Sequence, residues 1–284
     1  MKANDEFVNQ PKSFWACVRK ISEEVGYTAK GQNRASVPSL DQISSAMASA
    51  GLDSSLFTSS STGSICLAES LYQYFNYRAD VLNRFVEPRL MDPVQAKKEF
   101  RSMKKLLCPR CPLPMNKQKG EKKAPAYLTG MVNMIIEANA GGMPCDFDPR
   151  KLTIFTRANM PLGTLARRVD GAFPSTVNPV AVWEVKEYYY TTTFGSRVAD
   201  GIYETLLDGM ELAELRKNEN VHVLHYLFVD SHFTWWECGR SYLCRLLDAL
   251  HMGYVDEVIF GCELIERLPV LVKQWVEIAN TRMP

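Results

Sequence analysis

The chain has 284 residues, 46% apolar and 23% charged, an ordinary globular composition with enough apolar side chains for a sizeable core. A net charge of +1 excludes a global field that would gather a polyanion, so any phosphate-binding surface has to come from local clustering. No apolar run approaches a membrane span, the first residues lack the apolar core of a secretory signal, and the eight cysteines follow no regular spacing, so a cytoplasmic protein with reduced thiols is expected.

Phe14, Trp15, Val18, Ile21 and Val25 recur at helical spacing, and the run stops at Gly26. Ser39-Leu40-Asp41-Gln42 opens a second helix over residues 43–50, closed by Gly51. The Ser/Thr-rich stretch 54–64 reads as an exposed connector. Residues 65–82 are apolar and aromatic enough for a long buried helix, and Asp92-Pro93 starts another that runs to Leu107. Residues 1–107 thus read as a helical N-terminal region, a candidate for DNA recognition or dimerisation.

Residues 108–125 are dense in proline and lysine and read as an exposed linker. Its Lys117, Lys119, Lys122 and Lys123, with Lys104, Lys105 and Arg110 just before, form the strongest basic cluster and a candidate clamp on a phosphate backbone. Cys108-x-x-Cys111 has no second cysteine pair or His-x₃-His at suitable spacing, so no zinc is expected.

Residues 126–284 alternate. A helix over 126–140 ends at Gly141-Gly142, and strand-like runs follow at 152–156, 168–173 and 180–189. Then come a helix at 197–215, a strand at 221–229, a helix at 241–250, a strand at 257–260 and a closing helix at 268–278. Three strands in succession imply hairpins and the later alternation implies crossovers. The expected fold class is therefore mixed α/β (α+β), a central mixed sheet flanked by helices on both faces.

The candidate chemistry lies at the ends of two of these strands. Side chains alternate along a strand, so Glu184 and Lys186 project from one face and Val185 from the other. Asp170 precedes Glu184 by a hairpin's length. Two carboxylates and the Val185 backbone carbonyl offer the oxygen donors that Mg²⁺ takes, with Mn²⁺ as a substitute. A bound cation would polarise a phosphodiester and acidify a water. Lys186 would orient or deprotonate that water or stabilise charge on the phosphorane, its own pKa pushed down by desolvation and by the metal.

The stretch Arg167-Arg168-Val169-Asp170, with Val182-Trp183-Glu184-Val185-Lys186, resembles the PD-(D/E)XK nuclease superfamily, which includes most type II restriction endonucleases. The resemblance covers roughly residues 126–230; Val169 stands where the motif's proline would be. It implies a restriction-endonuclease-like αβββαβ core, with Asp170 and Glu184 as metal ligands and Lys186 as the catalytic lysine. It also implies Glu137, on the preceding helix, as a further ligand. Double-stranded DNA as substrate, a homodimer, and a role in restriction or defence against foreign DNA are expected on the same ground. A repair, recombination or RNA nuclease, or a non-catalytic nucleic-acid-binding module, are the alternatives. Tyr188 and Arg197 are candidate contacts to sugar and phosphate. Neither Gly-x-x-x-x-Gly-Lys-Ser/Thr nor Gly-x-Gly-x-x-Gly is present, so no nucleotide cofactor is expected.

Overall fold

A computed structural model describes residues 1–28, 32–52, 66–117, 124–191 and 195–282, with Arg197 described by its backbone alone. The expected connector at 54–64 and Lys119, Lys122 and Lys123 lie outside the described residues.

The N-terminal region is helical: α1 (Asp5–Val8), α2 (Lys12–Val25), α3 (Leu40–Ser49) and α4 (Leu67–Asp80). In α2, Phe14, Trp15, Val18 and Ile21 fall on one stripe, which buries against Ile43 and Met47 of α3 and Leu71, Tyr74 and Phe75 of α4. α3 starts at a capping box: the Ser39 hydroxyl accepts from the Gln42 amide at 3.2 Å, and the Gln42 side chain accepts from the Ser39 amide at 2.9 Å. α4 continues into a π-helical turn, Val81–Val86, and a 3₁₀ turn, Glu87–Arg89. Asp92 then caps α5 (Pro93–Leu107), accepting from the amides of Val94 and Gln95. Ala96 and Phe100 of α5 share a core with Tyr127, Leu128 and Met131 of α6 (Tyr127–Asn139), so the helices on either side of residues 108–125 pack together.

A five-stranded mixed sheet forms the centre. Its strands are β1 (Asp146–Phe147), β4 (Gly171–Phe173), β5 (Ala181–Glu187), β6 (Leu224–Asp230) and β7 (Glu257–Phe260), side by side in that order. β1–β4 and β4–β5 are antiparallel; β5–β6 and β6–β7 are parallel, joined by crossovers through α7 (Ser196–Glu219) and α8 (Arg240–His251). One face carries α5, α6 and the closing helix α9 (Leu264–Arg282), with Trp183 of β5 stacked on Trp275 of α9 at 5.6 Å between ring centroids. The other face carries α7 and α8.

The run at 152–156 does not enter this sheet. It becomes β2 (Ile154–Arg157), paired with β3 (Met160–Thr164) in a separate hairpin. Ala158 and Asn159, both at positive φ, make its two-residue turn, a geometry whose twist suits a tight hairpin. The place expected for that strand at the sheet edge goes to β1, two residues long and too short to show a period.

Candidate active site

β4 is short because Asp170, just before it, leaves the ladder. Its amide still donates to the Trp183 carbonyl at 3.1 Å, while its side-chain Oδ2 accepts from the Val185 amide at 2.8 Å. A carboxylate thus takes the place of the next strand partner of β5. On β5 the alternation places Val182, Glu184 and Lys186 toward α7 and Ala181, Trp183 and Val185 toward α6 and α9.

Glu184 is fully buried, and charge surrounds it. Its Oε2 accepts from Lys186 Nζ at 2.8 Å and from Arg167 Nη2 at 3.1 Å; its Oε1 accepts from the Asp170 amide at 3.2 Å. α7 completes the cluster with the two acids at i and i+4 on its inner face. Glu204 receives Lys186 Nζ at 3.0 Å and Arg167 at 3.3 Å, and Asp208 receives Arg167 Nη1 at 2.6 Å. Gly201, one turn before Glu204, lets α7 pass close over the Lys186 stem: a Cβ there would lie 3.2 and 3.3 Å from Lys186 Cδ and Cε.

The charge states follow from burial set against these partners. Burial and the neighbouring Glu184 charge push the Asp170 carboxyl up to about 6. For Glu184, burial works upward, but Lys186 and Arg167 outweigh it and hold the group below the usual carboxylate range. Burial pushes Asp208 up to about 7 despite Arg167, and its Oδ1 is buried without a hydrogen-bond partner among the described residues. For Lys186, burial works downward as expected from the sequence, yet the charges of Glu184 and Asp170 overcome it and hold the ammonium above its ordinary range. Lys186 is therefore held as a cation between the carboxylates of Glu184 and Glu204.

Asp170 and Val185 open on a cleft of about 670 Å³, also lined by Lys117, Asp148, Glu187 and Tyr188. Glu187, on the opposite strand face from Glu184, caps α6 from a distance, accepting from the Leu128 amide at 2.7 Å and Thr129 Oγ1 at 2.9 Å. Burial pushes it up to about 7.

The expected residues are thus partly brought together. Asp170, Glu184 and Lys186 converge. The Val185 carbonyl points to the side where β4 has ended, and Tyr188 lines the cleft. Lys117 stands at the rim. Glu137 is not brought to them: near the C-terminal end of α6 it accepts from the Arg110 amide at 2.9 Å, and with Cys111 it fastens the loop after α5. Arg197 lies in the first turn of α7. Arg167 carries the cluster and was read from the sequence only as part of the run before Asp170; two arginines in tandem gave no sign of which turns inward. The acids of α7, Glu204 and Asp208, stand four apart on a helix beside the motif strand, a spacing that puts both on one face.

Asp170 Oδ1 accepts no hydrogen bond among the described residues, nor does the Val185 carbonyl. Both are hard oxygen donors at the cleft, and Mg²⁺ bound through one or two carboxylates keeps several waters. No group of three or more His, Cys, Asp or Glu side chains among the described residues gathers as a metal cage. The donor chemistry fits a cation of that open kind, with Glu184 behind it in ion pairs.

A family model described as a domain of unknown function, DUF7687, matches residues 91–275. The chain belongs to that family. A second model, also of a domain of unknown function, DUF7690, matches residues 1–85. The DUF7687 match begins just ahead of α5 and takes in the whole sheet, Arg167, Asp170, Glu184, Lys186 and both acids of α7. No curated protein and no solved structure matches the chain.

Proposed function

We propose that this protein is a Mg²⁺-dependent endonuclease of the PD-(D/E)XK type, hydrolysing DNA phosphodiester bonds in restriction or another defence against foreign DNA. The observation that carries the reading is the meeting of Asp170, Glu184 and Lys186 across β4 and β5, with Lys186 Nζ 2.8 Å from Glu184 Oε2 and the Asp170 amide 3.2 Å from Glu184 Oε1. The order α6, β1, β4, β5, α7, β6, antiparallel twice and then parallel, supports it as the αβββαβ core of such enzymes.

Asp170 and the Val185 carbonyl would hold the cation, with Glu184 as the second acid. The cation would supply charge neutralisation at the scissile phosphate and an acidified water. Lys186, held as an ammonium by Glu184 and Glu204, would meet negative charge developing on the phosphate oxygens. Arg167 fixes Glu184 so that one oxygen stays beside Asp170. The Glu187 carboxyl, raised by burial to about 7, puts an acid group at the cleft wall near neutral pH.

A second reading, a non-catalytic nucleic-acid-binding module, is favoured by one observation: both Glu184 oxygens are already occupied by cations and an amide. Incubation of supercoiled plasmid, linear duplex and RNA with Mg²⁺, Mn²⁺ or a chelator separates the two. Nicking or linearisation of DNA with metal and none with chelator is expected. Intact DNA and RNA under every metal condition would leave the binding module standing; cutting of RNA alone would move the substrate to RNA.

A further inference from the structure

The cationic face of α5 has no counterpart in the site just described. Five basic residues, Lys97, Lys98, Arg101, Lys104 and Lys105, stand against one acid, Glu99, in this helix. At about 100° per residue the five fall within about 120° of arc, and half-buried Glu99 lies on the far side of the helix. Ala96 and Phe100 occupy the separate arc that packs on α6. The five cations are exposed, and none makes an ion pair among the described residues. Unpaired like charges this close repel one another, a cost of the kind a polyanion removes.

The face looks into a groove. Lys97, Lys98 and Arg101 form one wall, and Tyr127 and Tyr190 lie opposite. Tyr190 also lines the Asp170 cleft, so the groove and the cleft meet at this residue. Its hydroxyl is 3.2 Å from that of Tyr127. From Lys97 to Lys104 is about 10 Å along the helix, which matches about three phosphates of one DNA strand. The half-buried ring of Tyr190 offers a face for a base or sugar beside them.

We infer that the groove between α5 and Tyr190 is a binding track for the DNA backbone, which delivers the strand past Tyr190 to the Asp170 cleft. It rests on the nuclease reading for its destination, but the binding itself needs no metal and no hydrolysis. The track lies on described residues only and adds Lys97, Lys98 and Arg101 to the basic cluster read from the loop.

Fluorescence anisotropy of a labelled duplex of about 20 base pairs, in chelator and across a salt series, tests it. Lys97→Glu with Arg101→Glu is compared with a charge-matched control, Lys217→Glu with Lys273→Glu, on other helices. The groove variant is expected to bind at least about 10-fold more weakly near 0.1 M salt, with the slope of log affinity against log salt reduced by about 2, and the control to keep wild-type values. Equal affinity and slope in the groove variant and the wild type, equal losses in both variants, or no binding by the wild type, would overturn the track. Lys97→Gln with Arg101→Gln, a milder change, repeats the comparison if the reversal variant loses its circular dichroism spectrum. Loss of the nuclease reading would show separately, as wild-type protein that binds but does not cut.

Discussion

Arg167 decides the electrostatics of the site. It touches Glu184, Glu204 and Asp208, and without it only Lys186 would face three acids. Arg167→Ala is expected to cost on the order of 3 kcal/mol in urea unfolding, the loss typical when one partner leaves a buried ion pair. A change below about 1 kcal/mol would show that Glu184 does not depend on it. Asp230 gives a pH signature. Burial pushes its carboxyl up to about 7, against lowering by hydrogen bonds from Tyr189, Ser231 and Met91. An unfolded aspartate titrates near about 4. Between those values the native state keeps a proton that the unfolded chain has released, so the contribution is full below about pH 4 and is lost as pH rises through about 7. Wild type should therefore lose up to about 3 kcal/mol relative to Asp230→Asn between about pH 5 and pH 8, read from urea midpoints. A gap that stays constant, or moves toward the wild type, would contradict this.

Two glycines set how the elements meet at the site. Gly201 sits in the interior of α7 with the Lys186 stem and the Tyr188 hydroxyl within 3.4 Å of where a Cβ would be. Gly201→Ala should gain up to about 1 kcal/mol of helix propensity while pressing on Lys186, so stability should hold or rise while cleavage falls. Equal activity in the variant would show that this spacing is not functional. At Gly171 a Cβ would collide with the Trp183 ring, itself stacked on Trp275. Gly171→Ala should cost about 1–3 kcal/mol in thermal or urea unfolding by overpacking. These close approaches were not legible in the sequence, because a glycine's neighbours are set by tertiary packing. The strand that carries Glu184 and Lys186 was legible, as was its parallel neighbour, since β5 and β6 are apolar runs between turn signals. Asp170 was legible through its spacing to them. The two-residue β1 carries no period, and the run at 152–156 looked as apolar as a core strand though its hairpin sits outside the sheet. Glu137, near the C-terminal end of α6, meets the loop after α5, away from the α6 N-terminus that Glu187 caps.

At the scale of the whole molecule, the N-terminal helices are clasped to the sheet by a buried charge pair. Arg78 of α4 donates to both oxygens of Asp248 of α8 at 3.1 Å, and Tyr74 donates to the same carboxylate at 2.6 Å. Asp248→Ala leaves a buried guanidinium without its carboxylate and is expected to destabilise the protein by about 3–5 kcal/mol, measured by urea unfolding. A loss confined to the surface range of about 0.5 kcal/mol would mean the two regions are held by apolar contact alone. The central claim, that Asp170, Glu184 and Lys186 form a phosphodiester-cleaving centre, is tested most directly by plasmid cleavage with Mg²⁺ by the wild type, Asp170→Ala and Lys186→Ala. Each variant is first checked for a wild-type circular dichroism spectrum. Cleavage by the wild type and a loss of at least about 100-fold in both folded variants is the expected result. Cleavage that persists at the wild-type rate in either folded variant would contradict it.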